Sequence, residues 1–451
     1  MADRLAATGI LLVGGASERF GSPKALATIA GETLAERGYR LLSETCDEVL
    51  AVGKASDELE LPFPVLDDAA DERAPVFGVI AGLRAATHDV ALVLPVDCPL
   101  VTPETLRRLV EAGAVPQEGP LPGVYTKAML PELEARVASG DLALRGVNET
   151  VLELDEALLL NVNTQNDLLL AAVADWARAT EDVRAVVLVG SYARRDTPAD
   201  RWSDLDLLLF LDEPDRYVAD DAWVGRFGDP VLTFLEPTSV ADRIERRVLY
   251  DDGVDVDFPL LEASAAREAA AVPGVGTVLS RGYLVLHDEI GIAGLLASAA
   301  VPEPQELPDA AAFAQLASDF WHHALWTAKK LRRGEVFTAI SCLDGYAKWR
   351  LVTLLEWHAR AVDPSADTWH DGRFLERWGD PGALAALERA YAHYDVRDVA
   401  RALWETIDLF QGLEEETAGR LGLAVELDHS DLRRRIAAVV PDPRPASTLW
   451  P

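Results

Sequence analysis

The sequence predicts an α/β fold: a Rossmann-like, mostly parallel sheet comes first, a second strand-rich region follows, and the last part is helical. Three observations predict this order. Up to about residue 170, short apolar strands alternate with helical stretches, as in a parallel sheet with helices on its faces. From residue 183 further apolar strands follow, and beyond about residue 309 large apolar residues recur at helical intervals. The 451 residues, 49% of them apolar, are enough for two or three packed domains.

The elements of the first region follow one another at short intervals. Strands are predicted at residues 10–13, 48–52 and 90–96, and helices at residues 33–43, 78–86 and 103–111. Thr102 is the predicted N-cap of the last helix, with Pro103 in its first turn. Because Pro95 cannot donate a hydrogen bond to a neighbouring strand, the third strand is expected to fray before Asp97.

The boundary with the second region lacks a flexible linker. Thr164 and Asp167 have the spacing of a capping box, and residues 168–178 continue as a helix. We therefore expect two domains joined stiffly through a shared or abutting helix. The next strands are predicted at residues 183–189, 204–211, 231–235 and 254–258. The predicted domains are 1–172, 173–305 and 306–440, followed by a disordered, proline-containing tail at 441–451.

Charge and composition exclude several classes of function. The formal net charge of −33 repels a polyanion, so a nucleic acid partner is not expected, whereas a cationic small molecule would be attracted. No apolar stretch is long enough to span a membrane, and the N-terminus lacks the features of a secretory signal. The three cysteines have neither metal-ligand nor disulfide spacing, which is typical of a cytoplasmic protein.

The first candidate site is the string LVGGASERFGSPKAL at residues 12–26, directly after the first predicted strand. A turn from Gly14 through Gly15 to Ser17 lets backbone N–H groups approach a triphosphate without obstruction by a Cβ. Arg19 and Lys24 lie on the same loop and can neutralise phosphate charge. The string differs from a Walker loop, which needs Gly-Lys-Ser/Thr at the start of a helix.

This string resembles the molybdenum cofactor guanylyltransferase group, which has the nucleotide-diphospho-sugar transferase type of fold. The resemblance spans residues 6–172 and includes DCPL at 97–100, PLPGVY at 120–125 and NVNT at 161–164. It implies GTP as donor, Mg²⁺, and transfer of GMP to the phosphate of molybdopterin. The implied nucleotide ligands are Leu12, Gly14, Gly15, Lys24 and Asp67, and Asp97 would hold Mg²⁺ at the end of a strand.

The chain departs from this group in ways that bear on base selectivity. Ala74-Pro75-Val76 replaces a frequent Gly-Pro-Leu, Gly53 replaces a common asparagine, and the stretch 113–119 is short. A cytidylyl or other nucleotidyl transfer to a related acceptor therefore stays open. A helix cap at Pro99 is the alternative role for Asp97.

The second candidate site combines a glycine-serine turn with carboxylates. Gly190-Ser191 supplies a turn and a hydroxyl for phosphates. Asp204 and Asp206 are two apart on a predicted strand and so point to the same face, as a shared metal site requires. Asp255 and Asp257 both qualify as a third carboxylate on a neighbouring strand, and we choose Asp257 because it precedes the more apolar segment. Nucleotidyl transfer needs little more than a fixed triphosphate, an in-line hydroxyl and cations.

This pattern resembles the DNA polymerase β-like nucleotidyltransferase superfamily, and within it the aminoglycoside 6-adenylyltransferase (streptomycin-type) branch. The resemblance covers about residues 166–425, includes LYDDG at 249–253, and also favours Asp257 as the third carboxylate. It implies a polymerase β-type α+β domain, a helical domain, ATP, Mg²⁺ and AMP transfer to a hydroxyl of a cationic aminoglycoside. Asp319 and Asp344 are candidate contacts to that acceptor, and Asp319 is a candidate general base. Arg195 departs from the branch, where glycine is frequent.

Three hypotheses follow. The first is a bifunctional cytoplasmic enzyme with both transfer activities. In the second, only one domain is catalytic and the other is a nucleotide-binding regulatory module. The third is a nucleotide sensor without catalysis, which is disfavoured because both sites retain their carboxylates.

Overall fold

The computed structural model describes residues 4–14, 20, 22–195, 199–200, 202–238 and 243–444. It divides into two compact units, residues 1–303 and residues 304–451. The first unit contains a five-stranded sheet, which we call the first sheet, a six-stranded second sheet and two small two-stranded sheets, and the second unit is helical.

The first region has an α/β fold, as predicted. It contains the strands β1 (Leu5–Leu12), β2 (Thr28–Ile29), β3 (Glu32–Thr33), β4 (Cys46–Gly53), β5 (Val65–Asp67), β6 (Val90–Pro95), β7 (Val115–Pro116), β8 (Gly123–Thr126) and β9 (Val151–Leu152). Its helices are α1 (Leu34–Thr45), α2 (Pro75–Ala85), α3 (Pro103–Ala112), α4 (Leu130–Ala138) and α5 (Gln165–Arg178). The sheet order is β5-β4-β1-β6-β8, with β8 antiparallel and the other pairs parallel.

Successive side chains of β1 point to opposite faces of this sheet and pack in different core clusters. Ile10 packs in one core cluster with Leu83 of α2, whereas Leu11 packs in another with Leu42 of α1. The predicted cap of α3 is confirmed, because the Thr102 hydroxyl accepts a backbone hydrogen bond from Thr105. Thr33 caps α1 in the same way, although it was predicted only as the first residue of that helix. Strand β6 ends at Pro95, before Asp97, as expected.

The second sheet contains β10 (Val183–Val189), β11 (Leu205–Leu211), β12 (Pro230–Pro237), β13 (Ile244–Tyr250), β14 (Asp255–Glu262) and β15 (Leu284–Asp288). Its helices are α6 (Pro214–Ala219), α7 (Ala266–Ala270), α8 (Val275–Arg281) and α9 (Ile292–Ala299). The order is β12-β13-β14-β11-β10-β15, and β11 and β14 are parallel neighbours. Strands β13 and β15 were not predicted.

Helix α5 connects the two sheets. Its capping box is confirmed: the Thr164 hydroxyl accepts from the backbone of Asp167, and the Asp167 carboxylate accepts in return. Leu170 and Val173 are buried in a core cluster that also contains Leu11 of the first sheet and Val186 of the second. This packing fits the stiff junction that we expected. The boundary at residue 172 falls inside α5, and the division of residues 1–303 into two domains stays a prediction.

The second unit is helical, as predicted. It contains α10 (Ala310–Arg332), α11 (Val336–Ile340), a π-helical segment (Ser341–Ala347), α12 (Lys348–Val362), α13 (Leu375–Trp378), α14 (Pro381–Ala390), α15 (Val396–Leu421) and α16 (His429–Val439). In its core, Phe320 stacks on Phe410 with ring centroids 3.6 Å apart. Among the helices that the structure describes, none is both long and apolar enough to cross a membrane.

The tail predicted to be disordered is described only up to residue 444, and residues 445–451 lie outside the described residues. Residues 441–444 form neither helix nor strand. The Arg444 side chain is nevertheless only 5% exposed, and it pairs with Glu405 at 3.2 Å and with Asp408 at 2.8 Å. These contacts hold the first residues of the segment against α15.

Candidate active sites

The first candidate site is a cavity of about 830 Å³ at one edge of the first sheet. Strands β1, β4 and β6 are parallel and end at Leu12, Gly53 and Pro95, all of which line the cavity. The carboxyl ends of parallel strands are where α/β sheets bind ligands. The fold therefore places the cavity where the glycine-rich string follows β1.

A lysine and a carboxylate face each other in this cavity. The ammonium of Lys24 lies 3.5 Å from Asp97 Oδ2 and donates a hydrogen bond to Asn163 Oδ1 at 2.7 Å. Burial raises the pKa of the Asp97 carboxyl, although the Lys24 ammonium opposes this. A carboxylate that can hold a cation thus lies beside an ammonium that can hold a phosphate.

The structure brings several of the predicted first-site residues together. Leu12, Gly14, Lys24 and Asp97 all line the cavity. The remaining members of the predicted turn and loop, Gly15, Ser17 and Arg19, lie outside the described residues.

The role of Asp67 as a nucleotide ligand stays a prediction. Asp67 is not among the described residues that line the cavity, and its Oδ1 accepts a hydrogen bond from the Ala55 amide at 3.2 Å. The next residue, Asp68, lines the cavity and pairs with Lys54 at 3.0 Å, each side chain being only 9% exposed. Lys54 and Asp68 were missed in the sequence, where their positions just after β4 and β5 were the available signal.

Gly53 also differs from the guanylyltransferase pattern for a steric reason. A Cβ at this position would lie 2.8 Å from Val13 Cγ2 and 3.3 Å from Val65 Cγ1. The asparagine that is common in that group would therefore require both valines to move. Polar contacts in this part of the cavity come instead from Lys54 and Asp68.

The second candidate site is a cluster of carboxylates on neighbouring strands. One oxygen from each of Asp204, Asp206 and Asp257 lies within 4.8 Å of the others. Parallel pairing of β11 with β14 sets Asp206 directly opposite Asp257, and Asp204 immediately precedes β11. Asp255 is exposed and does not belong to this cluster. The oxygen donors fit a divalent cation such as Mg²⁺, which prefers carboxylate ligands.

Asp257 is buried with an incomplete set of partners. Its Oδ2 lies 2.8 Å from the Arg247 guanidinium on β13, while its Oδ1 is buried without a hydrogen-bond partner among the described residues. Burial raises the pKa of Asp257 to about 7, and Arg247 opposes this effect. A cation bound beside Asp204 would satisfy the unpartnered oxygen. Arg247 was missed in the sequence because its role depends on pairing across strands.

The glycine-serine turn lies against these carboxylates. Gly190 has φ +71°, and a Cβ there would lie 1.8 Å from Asp206 Oδ2. Ser191 donates a hydrogen bond through its hydroxyl to Asp204 Oδ1 at 3.3 Å. Only glycine leaves room for Asp206 at this turn, so the backbone at 190–191 can approach a phosphate held by the same cation.

The two acidic candidates of the helical unit have local partners. Asp319 accepts a hydrogen bond from the Tyr346 hydroxyl at 2.8 Å, and His323 Nδ1 lies 2.8 Å from its other oxygen. Asp344 pairs with Lys348 at 3.3 Å. The role of Asp319 as general base and of both residues as acceptor contacts stays a prediction.

Comparison with known proteins finds a separate match for each of the two regions that contain a candidate site. The family model "Streptomycin adenylyltransferase" matches residues 164–436, and "MobA-like NTP transferase domain" matches residues 9–155. An Aquifex aeolicus protein described as "Probable molybdenum cofactor guanylyltransferase" is 34% identical over an alignment of 176 residues, which covers 36% of this chain and 88% of that protein. An aminoglycoside 6-adenylyltransferase from Bacillus subtilis is 23% identical over 249 residues, covering 52% of this chain and 84% of that protein.

Among solved structures, the crystal structure of an aminoglycoside 6-adenyltransferase from Bacillus subtilis covers 61% of this chain and 98% of that chain. It is 16% identical and has a TM-score of 0.30.

Proposed function

Since the chain belongs to the streptomycin adenylyltransferase family through residues 164–436 and carries a MobA-like NTP transferase domain at residues 9–155, we propose that it is a bifunctional, Mg²⁺-dependent nucleotidyltransferase. Both domains are of the nucleotidyltransferase type. The observation that carries the proposal is the carboxylate cluster Asp204, Asp206 and Asp257 with its buried, unpartnered oxygen. The cavity with the facing Lys24 and Asp97 supports the first transfer.

The first domain is proposed to transfer GMP from GTP to a molybdopterin-like phosphate acceptor. Lys24 neutralises charge on the triphosphate, and Asp97 holds Mg²⁺. The acceptor oxygen attacks the α-phosphorus in line and pyrophosphate leaves. When bound, Mg²⁺ neutralises the charge that develops on the phosphates in either domain.

The second domain is proposed to transfer AMP from ATP to a hydroxyl of a cationic, aminoglycoside-like molecule. Asp204, Asp206 and Asp257 hold Mg²⁺, and Gly190-Ser191 places its backbone and hydroxyl near the phosphates. The net charge of −33 favours the approach of a cationic acceptor and opposes a nucleic acid. Asp319 and Asp344 are the proposed acidic contacts to the acceptor, with Asp319 as the general base.

A cytoplasmic location belongs to the same proposal. The three cysteines, Cys46, Cys98 and Cys342, are free thiols, which suits a reducing compartment.

Of the two alternatives to this proposal, one has specific support. Cytidylyl transfer by the first domain is favoured by Gly53, because Val13 and Val65 leave little room for the asparagine of the guanylyltransferase pattern. The other alternative, in which one domain is only a nucleotide-binding regulatory module, is tested by the pyrophosphate-release screen described next.

A pyrophosphate-release screen of the intact protein tests the proposal, with each NTP offered together with molybdopterin or with a panel of aminoglycosides. Asp97→Asn is expected to lower the first transfer, and Asp204→Asn the second, each by about 100-fold or more and each without affecting the other. Asp255→Asn is the matched control, because this aspartate lies on β14 outside the carboxylate cluster. If either substitution leaves every detectable transfer intact, that domain is not catalytic.

A further inference from the structure

We propose that the amino end of α5 is a structural support shared by both candidate sites, and that Tyr192 is the positioning residue that connects the second site to it. The inference rests on the proposed function, because it concerns how the two nucleotide sites influence each other. It predicts that a nucleotide bound in one site changes the affinity of the other.

The first site is attached to α5 through its phosphate-binding loop. The Lys24 ammonium donates to Asn163 Oδ1 at 2.7 Å, just before the helix begins. The side-chain amide of Gln165, the first residue of the helix, donates through Nε2 to the Phe20 carbonyl at 3.4 Å. Asn163 is itself fixed, because its backbone N–H donates to Asp167 Oδ2 at 2.9 Å. These hydrogen bonds connect Phe20 and Lys24 to the first turn of α5.

The second site is attached to the same turn from the other side. The Tyr192 hydroxyl donates to Asp167 Oδ1 at 3.3 Å and lies 3.0 Å from the Thr164 hydroxyl. Tyr192 closes the short 3-10 turn 190–192, which contains Gly190 and Ser191. The Asn166 side-chain amide donates to the Ser203 carbonyl at 3.4 Å, next to Asp204. Both the phosphate turn and the first carboxylate are thus held by α5.

The carboxylate of Asp167 is the point where the two sets of contacts meet. One oxygen accepts from the residues that precede the helix beside the first site, and the other accepts from Tyr192 of the second site. When a triphosphate binds, Lys24 redistributes its hydrogen bonds between phosphate and Asn163, which changes how firmly this end of α5 is held. By thermodynamic linkage, the change in affinity must be the same in both directions.

The test measures binding in the intact protein with the non-transferable analogues α,β-methylene-ATP and α,β-methylene-GTP in the presence of Mg²⁺. Second-site binding is identified as the part that Asp204→Asn removes. In the wild type, saturation with the GTP analogue is expected to change the dissociation constant of the ATP analogue about fivefold, the factor expected for one hydrogen bond. The reverse titration is expected to give the same factor.

Tyr192→Phe removes the connecting hydroxyl and is expected to reduce this factor to below about twofold. Tyr217→Phe is the matched control, because the Tyr217 hydroxyl also donates to a carboxylate, Asp182 Oδ1 at 2.9 Å, in the same sheet region. The control is expected to keep the fivefold change, and the thermal midpoints of the two variants verify that both are folded. A purely structural role for Tyr192 would lower its midpoint and leave the factor intact.

The outcomes separate this inference from the proposed function. The shared support is contradicted if the GTP analogue leaves the dissociation constant of the ATP analogue unchanged in the wild type. It is also contradicted if Tyr192→Phe keeps the fivefold change. Either result leaves the proposed function of the two domains intact. Absence of ATP-analogue binding in the wild type contradicts the proposed function of the second domain and this inference with it.

Discussion

Gly190 lies where backbone conformation and free space are both needed. Its φ of +71° is in the left-handed region, which costs a residue with a Cβ roughly 1 kcal/mol. The missing side chain also leaves the space that Asp206 Oδ2 occupies, 1.8 Å from where a Cβ would be. The glycine therefore makes the position of Asp206 within the carboxylate cluster possible.

Gly190→Ala is expected to abolish AMP transfer by the second domain while the first domain keeps its activity, because the new Cβ displaces Asp206. The measurement is pyrophosphate release with ATP and with GTP. Gly291→Ala is the matched control: its φ is +73° and nothing lies within 4 Å of its Cβ position, so it has the backbone cost alone. Equal losses in the two variants would show that backbone strain, and not Asp206, causes the effect.

The sequence did not indicate Arg247, because its contact with Asp257 depends on a neighbouring strand. Asp204, Asp206 and Asp257 could be chosen because carboxylates at strand ends are visible in the sequence, and the structure places them together. Arg247 contacts Asp257 only because β13 and β14 are antiparallel neighbours. Sequence spacing carries no information on such a contact.

At the scale of elements, strand β13 shows how tertiary contacts outweigh local composition. Its sequence IERRVLY breaks the apolar alternation with three consecutive charged residues, so no strand was predicted there. In the structure Arg246 is buried, and its guanidinium donates to the carbonyls of Tyr217 and Val218 at 3.3 and 2.8 Å. The charge is accommodated by neighbours that are distant in the sequence.

The start of α12 buries a lysine. Lys348 follows the π-helical segment, and its ammonium donates to the Ala390 carbonyl and to the Thr406 hydroxyl, each at 2.9 Å. Burial lowers the pKa of Lys348 to about 8, although Asp344 opposes this. The folded helical unit therefore releases this proton at a lower pH than the unfolded chain does.

This pKa shift predicts that the free energy of unfolding rises with pH between about 8 and the ordinary lysine value of 10.5, because the unfolded state binds more protons in that window. Below pH 8 both states are protonated, and no change is expected. Lys348→Met should remove the rise, which is at most about 3 kcal/mol at about 1.4 kcal/mol per pKa unit. Chemical unfolding of the helical unit at several pH values measures it, with Lys329→Met, an exposed residue of α10, as the control.

At the scale of the whole molecule, the two sheets that carry the candidate sites share a hydrophobic core. One cluster of buried side chains contains Leu11 of β1, Leu170 of α5 and Val186 of β10. Removal of either sheet would expose the apolar face of α5 that packs against it. Within residues 1–303, each sheet therefore depends on the other, because both are needed to bury the apolar faces of α5.

Leu170→Ala is expected to destabilise both sites together, because Leu170 is 1% exposed and such truncations cost about 2–5 kcal/mol. The temperatures at which GTP-analogue and ATP-analogue binding are lost should fall by the same amount. Leu170→Met, which conserves volume, is the control and should shift both temperatures much less. Loss of one binding activity while the other persists would contradict a shared core.

The sequence alone determined the order of the three regions, the capped helix between the first two, the carboxylates that the structure brings together, and the glycine turn beside them. These features follow from periodicity, capping and motif spacing, which are local along the chain. Only the tertiary structure decided that Asp68 and not Asp67 lines the first cavity, that Arg247 pairs with Asp257, and that Asp167 accepts a hydrogen bond from Tyr192. Each of these contacts joins residues that strand pairing or helix packing brings together, and no local pattern encodes such proximity.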